Sequence, residues 1–547
     1  MIMVLALVFA LLSPFVISPP FFDDHNIFLD NRVLDLAQKT FSGNTRVFPN
    51  FSIGFIHVVS AGDIGWNRRF SIVLFGFIIV ALYCLVSRLA EDTGEGGRLR
   101  SSAIPPLVCL WVALSPVSVY ATGYLIQRTV VFATLFGIIS TTLYLRAQQE
   151  SRNADVVSAA LLAFLSVMSK EHAVFLPAAT IALTPLVTDW NRQSIRRASA
   201  YFLLTLPGAI WAILHRGQAV LGESYEIFSG EILSQIPSAS VATSSLGVWL
   251  MSMGTQLLLF WKYLFLWLVP NPAWMSVDMR VDFAAWWSSP LFFFGVAVSV
   301  TVMLGAVWVW WWSRGRGRLG VLSSILLFAA IPFAVELSTV RVQEPFVLYR
   351  SFLWMPAYAL LLTVLLAWGH EWVSRFGVLA GRAYWVVATV AALSLFPLAQ
   401  DRLRSFSSEE ALWQDALEKL PRPNVPGADR IYYNLAGEAF KRKDYAEALR
   451  LSERVVEQNP RAFQGYLAQG TSLLALREVD AAERAFDEAD KHNPPKKFLG
   501  YIESKRCAIA QVREDRDETV ACLRRSAKLG YEPARFKLQM AGIPLEE

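Results

Sequence analysis

RFSIVLFGFIIVALYCLVSRL, residues 69–89, decides the fold class. No charged residue stands between Arg69 and Arg88. As a helix rising 1.5 Å per residue, such a stretch crosses roughly 30 Å, the thickness of a bilayer's hydrocarbon core. Lipid offers backbone N–H and C=O groups no partners, so a spanning segment of this kind must be helical. Composition repeats the message along the chain. Of 547 residues, 54% are apolar and 17% charged, where soluble domains carry about a quarter. The net charge of +5 is modest and falls in short connections, which excludes a nucleic-acid footprint.

Comparable blocks lie at 2–20, 103–122, 128–146, 155–169, 173–189, 199–215, 289–312, 319–336, 351–368 and 379–399, so about eleven spans are expected. The first block has no basic leader region and no small-residue cleavage site, and reads as a retained helix. Basic or mixed connections at 88–100, 145–153, 189–197, 313–318 and 369–377 alternate with less basic ones, which sets the former on the cytoplasmic side. Block 247–269 breaks the alternation and carries Trp261-Lys262-Tyr263 at its middle, so it is expected to be re-entrant or to lie in the membrane plane. Segments 29–39 and 51–62 read as amphipathic helices within a first outer loop, 21–67.

After residue 399 the composition turns charged and alanine-rich. A polytopic membrane domain, 1–399, and a soluble domain, 400–547, are expected, all-α throughout. In the soluble domain Tyr432 and Tyr466, Ala448 and Ala482, and Pro460 and Pro494 are each 34 residues apart. That is the tetratricopeptide spacing, with its best copies at 429–462 and 463–496 and a degraded one at 497–533. An α-solenoid follows, either a polypeptide-binding groove or a packing cap. Cys507 and Cys522 fall on one predicted helix pair; a disulfide and two buried thiols stay open.

Charges at the ends of membrane helices are costly and point to a site. Four clusters share the outer face in this threading: Asp23-Asp24-His25, Gln127-Arg128, Lys170-Glu171-His172, and RVQEPFVLYR with Arg341, Glu344 and Arg350. Each has a plain structural alternative: Arg128 can snorkel, Lys170 and Glu171 can pair, and Asp24 can cap a helix. Together, one carboxylate facing several cations suits sugar transfer from a lipid phosphate. Cations hold the leaving phosphate, which needs no general acid, and a single carboxylate takes the acceptor's proton, with inversion. The paired carboxylates of glycosidases fit adjacent residues poorly. Transporters place polar groups at mid-membrane instead.

On DDHNIFLDN (23–31), GYLIQRTVVFATLFGIISTTLY (123–144), SKEHAVFLPA (169–178), LVPNPAWMSVD (268–278), VQEPFVLYRSFLWMP (342–356) and the repeats, the chain resembles the C-type (GT-C) membrane glycosyltransferases. Within them it is most similar to the transmembrane-and-tetratricopeptide O-mannosyltransferases and their bacterial relatives. The resemblance implies a polyprenyl-phosphate-sugar donor and a protein hydroxyl as acceptor, with transfer on the non-cytoplasmic side. It does not separate bacterial from other carriers, and a bacterial inner membrane with the C-terminal domain on the periplasmic side is a separate expectation. It implies Asp24 or Asp23 as general base, with Asp24 slightly ahead. Lys170, Arg341 and Arg350, with Arg128, would bind the donor phosphate, and His25, Glu171, His172 and Glu344 would support them. No metal or other cofactor is expected. Transfer to a lipid-linked glycan, and a non-enzymatic scaffold recruiting partners through its repeats, are the alternatives.

Overall fold

The computed structural model describes residues 1–21, 23–28, 33, 46–92, 102–220, 229–236 and 244–545, without the side chains of Asp23, His25, Asn26, Glu91, Asp92, 217–220 and Lys497. The described residues are overwhelmingly helical. Their one β pairing is an isolated antiparallel bridge between Met279 and Phe346. The chain divides into two compact units. The first comprises Met1–Glu226, Ser238–Met279 and Phe283–Leu412; the second comprises Ile227–Pro237, Arg280–Asp282 and Trp413–Glu547. The division thus falls at 412/413, somewhat beyond the change in composition at 399.

Among the described residues, seven helices of the first unit are long and apolar enough to cross a membrane. They are Ile64–Ala90, Leu125–Glu150, Arg192–Arg216, Pro290–Ser313, Gly317–Ser338, Leu348–Ser374 and Val378–Ser405. An eighth candidate, Ile104–Leu114 with Pro116–Thr122, is bent by 64°. Proline lacks the N–H that would continue the helix, and the bend sits at Ser115-Pro116. The expected count of eleven exceeds this number for identifiable reasons. Block 2–20 yields an α-helix of 11 residues, Ile2–Leu12, and a 3-10 turn to Ile17. Block 155–169 is the 17-residue helix Asn153–Ser169. Block 173–189 breaks into Glu171–Phe175, Leu176–Ala182 and Thr184–Leu186, with Pro177 and Pro185 each starting a new piece.

Block 247–269, expected to be re-entrant or to lie in the membrane plane, is not among the membrane-crossing candidates, and its backbone speaks against the first of the two alternatives only. Ser245–Leu268 is one unbroken helix of 24 residues, and a chain that turned back within the membrane would have to interrupt it. Its buried polar side chains hold the segment before Leu348. Gln256 donates to the Pro345 carbonyl at 2.6 Å, and Tyr263 bonds both the carbonyl and the N–H of Val347. Ser252 accepts from the Arg341 N–H at 2.7 Å. Of the two amphipathic segments, 51–62 is represented by the helix Val47–Val59. Segment 29–39 lies outside the described residues but for Val33.

In the second unit, helices follow in pairs: Asp429–Lys441 with Tyr445–Gln458, Phe463–Ala475 with Val479–Lys491, and Lys496–Val512 with Arg516–Lys528. The terminal helix is Glu532–Met540. Small residues permit the close pairing. A Cβ at Gly470 would lie 2.7 Å from the Phe486 ring, so only glycine fits there. Phe463, Leu467, Phe486 and Ile502 form the core between pairs. Cys507 and Cys522 are disulfide-bonded across the third pair, with Cα atoms 5.4 Å apart.

Candidate functional site

Asp24 lies in the short helix Asp23–Phe28, and its carboxylate is fully buried. Oδ1 accepts from the Ile126 N–H at 2.9 Å and Oδ2 from the Leu125 N–H at 3.2 Å. The carboxylate thereby ties the first loop to the 3-10 turn Leu125–Gln127, whose first two N–H groups it takes up. Arg68 stands nearby as its principal counter-charge. Its guanidinium donates to the carbonyls of Ser18 (3.0 Å), Gly123 (3.2 Å) and Pro19, and lies 4.2 Å over the Phe15 ring. Burial pushes the Asp24 carboxyl up to about 7, against the pull of Arg68 and the two backbone donors.

That shift has a stability consequence. A carboxyl whose folded value exceeds its unfolded value of about 3.9 favours the fold in its protonated form. The contribution is complete below about 4 and is lost as pH rises through about 7. The melting temperature of the wild-type protein is therefore expected to fall between pH 5 and pH 8. Asp24→Asn, which has no carboxylate to desolvate, should show a smaller fall in the same thermal scans; an equal fall would contradict this.

Arg128 begins the span Arg128–Glu150, and its guanidinium is engaged within the protein. It donates to Ser71 Oγ at 3.3 Å, Ser52 Oγ at 3.1 Å and the Asn67 carbonyl at 2.6 Å. It joins three segments around the buried start of the helix.

The second focus is a buried ionic cluster. Lys170 ends the helix Asn153–Ser169 in extended backbone, and Glu171 and His172 open the 3-10 turn that follows. Glu171 is buried and receives Arg46 bidentately, at 2.5 and 3.2 Å. Burial disfavours its charge, but Arg46 and Lys170 outweigh that and hold its carboxyl well below the usual range. Glu336, also buried, accepts through Oε2 from Arg341 Nε at 2.9 Å and Arg350 Nη1 at 3.3 Å. Arg350 also donates to the Glu344 carbonyl at 2.9 Å and meets its carboxylate at 3.5 Å. His172 is kept neutral by burial, its value lowered to about 3, so Nε2 accepts from Arg341 Nη2 at 3.2 Å. His172 Nδ1 and Glu336 Oε1 are buried and have no hydrogen-bond partner among the described residues.

Each of the three arginines is matched to a carboxylate: Arg46 to Glu171, Arg341 to Glu336, and Arg350 to Glu336 and Glu344. Lys170 is different. Its ammonium makes no hydrogen bond or ion pair among the described residues. Burial and the positive charges of Arg46, Arg350 and Arg341 lower its value to about 7, which Glu171 only partly offsets. An anion placed against this ammonium would relieve that repulsion. The two foci meet through aromatic rings: Tyr124, beside the residues bound by Asp24, packs edge-on against Tyr349, next to Arg350, at 6.1 Å.

The structure thus brings Lys170, Glu171, His172, Arg341, Glu344 and Arg350 into one cluster and sets Asp24, in the short helix Asp23–Phe28, and Arg128, at the start of its span, outside it. The side chains of Asp23 and His25 lie outside the described residues. Sequence reasoning missed Arg46, Arg68 and Glu336. Glu336 was visible as an acidic residue near the end of the apolar block 319–336; Arg46 gave no pattern signal. Among the described residues no group of three or more His, Cys, Asp or Glu side chains is arranged to hold a metal ion. Comparison with family models, curated proteins and solved structures finds no match.

Proposed function

We propose that the chain is an inverting membrane glycosyltransferase that moves a sugar from a polyprenyl phosphate to an acceptor hydroxyl. The observation that carries this reading is Lys170, whose ammonium has no hydrogen bond or ion pair among the described residues, beside three arginines that are each matched to a carboxylate. An anionic phosphate is the natural counterpart of such a group, and Lys binds phosphate as a point charge. In the reaction the acceptor oxygen attacks the anomeric carbon. The bond from that carbon to the phosphate oxygen breaks, and the electron pair leaves with the phosphate. The acceptor's proton passes to a carboxylate of the Asp23–Asp24 pair.

Both oxygens of Asp24 are occupied by backbone N–H groups, and the group is buried. The reading therefore gives Asp24 the task of holding the loop and Asp23 that of accepting the proton, reversing the order favoured by sequence. Arg341 and Arg350 assist Lys170 at the phosphate, while Arg128 holds the helix start. The helix pairs of the second unit, with their 34-residue spacing, support a tetratricopeptide solenoid that retains an acceptor polypeptide on the periplasmic side.

Lys170 supplies the test. Lys170→Gln is expected to raise the donor KM by about tenfold to a hundredfold, the worth of one charge-assisted contact. In the wild type, donor affinity should weaken as pH rises through about 7, because the deprotonated amine no longer attracts phosphate. Lys170→Arg, charged at every accessible pH, should flatten that dependence. A Lys170→Gln enzyme with an unchanged donor KM would refute the assignment.

A further inference from the structure

Away from this cluster, a second group of cations stands where two helix connections meet. The helix Pro290–Ser313 ends in Trp308, Trp311 and Trp312, exposed by 65, 76 and 78%. The rings of Trp308 and Trp312 stack at 6.3 Å and 14°. Arg314 follows in the left-handed region, and Gly315, also left-handed, fits so closely on Pro185 that a Cβ would lie 2.4 Å away. The segment after Pro185 is therefore seated against this turn. An ion pair from Arg316 to Asp189 at 2.6 Å and an edge-on contact between Trp190 and Trp310 at 6.1 Å fix the two together.

The pairing of charges here is incomplete. Arg316 has Asp189, and Arg318 has Glu371 at 3.1 Å. Arg314, Arg192 and Arg196 are exposed and have no ion pair or hydrogen bond among the described residues. Arg192 and Arg196 lie one turn apart at the start of the helix that follows Trp190. The Arg316–Asp189 and Trp190–Trp310 contacts bring Arg192 and Arg196 to the same helix end as Arg314, where the three exposed indoles also stand, and together they make that end cationic and amphipathic. Its surroundings select the partner. The tryptophans continue an exposed face of Phe293, Phe294, Leu304 and Val307 along the same apolar helix, which faces hydrocarbon in a membrane. An acidic protein or a nucleic acid has no counterpart to that face. A phospholipid has one, with acyl chains along the helix and a phosphate among the arginines.

We infer that the surface formed by Arg192, Arg196, Arg314 and the Trp308–Trp311–Trp312 group binds anionic phospholipid in preference to zwitterionic phospholipid. Indoles sit at the headgroup level, and unpaired arginines there attract negatively charged lipid. The site is independent of the proposed sugar transfer, so its test reads lipid and not activity.

The full-length protein is placed in phosphatidylcholine nanodiscs containing an equal fraction of brominated phosphatidylglycerol or brominated phosphatidylcholine. Quenching is read as the difference between wild type and Trp308→Phe/Trp311→Phe/Trp312→Phe, which isolates these three indoles. Brominated phosphatidylglycerol is expected to associate about tenfold more strongly than brominated phosphatidylcholine, with the preference reduced at high salt. In Arg192→Gln/Arg196→Gln/Arg314→Gln the two lipids should quench alike. Equal quenching by the two lipids in the wild type would overturn the inference, and so would an undiminished preference in the arginine variant. The wild-type comparison decides the matter even if the arginine variant does not fold.

Discussion

Replacing Asp23 by asparagine is expected to lower the rate of sugar transfer by roughly 10³-fold, within the range that a positioned general base contributes. Expression and melting temperature should stay near wild type. Asparagine keeps the size of the side chain and removes only its capacity to take a proton from the attacking hydroxyl. Asp24→Asn should behave differently. It leaves one carbonyl oxygen to accept from Leu125 or Ile126, where the carboxylate serves both, so the loop is held less well. A loss of about tenfold is expected, because a positioning fault weakens catalysis without deleting the proton acceptor. The two variants separate the roles. If Asp24→Asn is the inactive one and Asp23→Asn is active, the roles are exchanged. If both retain full activity, the carboxylate mechanism fails.

The second large effect is expected at Glu336, which lies between two arginines. Its Oε2 accepts from both Arg341 and Arg350, and both partners are buried. Glu336→Gln leaves two buried guanidinium groups facing each other with the charge between them removed. Breaking a buried ionic arrangement by deleting one partner costs about 3–5 kcal/mol, far more than an exposed ion pair would. The purified protein should therefore melt several degrees lower, and donor use should fall with it, since Arg341 and Arg350 lose the group that orients them. By contrast, Glu532→Gln, which removes an exposed pair with Arg535, should shift the melting temperature little. Thermal unfolding of the two variants side by side measures the difference. Equal shifts would show that the Glu336 cluster is solvated and not structural.

The membrane class was legible in the sequence because spanning helices are written in composition. Residues 69–89 need no context to be read, and the structure places them within Ile64–Ala90. Breaks within apolar blocks were less legible. Hydropathy counts apolar residues and is blind to backbone donors, so block 173–189 looks continuous although Pro177 and Pro185 divide it. Ser245–Leu268 is the opposite case, a block set apart from the spans that is one continuous helix. Its Trp261-Lys262-Tyr263 run reads as an interfacial composition, and what composition does not show is that Gln256 and Tyr263 bond the 345–347 backbone inside the unit.

The candidate site followed the same division. Lys170, Arg341 and Arg350 stood out because charges at helix ends in an apolar chain are conspicuous. Arg46 and Glu336 belong to the same cluster but come from segments distant in sequence, and only folding brings them together. The backbone partners of Asp24 were hidden for a different reason. A carboxylate bound by backbone N–H groups and one free to take a proton have the same letter, and the hydrogen bonds from Leu125 and Ile126 exist only in the fold.

The central claim is that this chain transfers sugar to hydroxyl groups with one carboxylate as base. It is tested most directly by mass spectrometry of proteins from cells producing either the wild-type chain or Asp23→Asn at equal levels. Sugar-sized mass additions on serine or threonine are expected in the wild-type sample and absent from the Asp23→Asn sample. The same set of additions in both samples, or none in either, would contradict it.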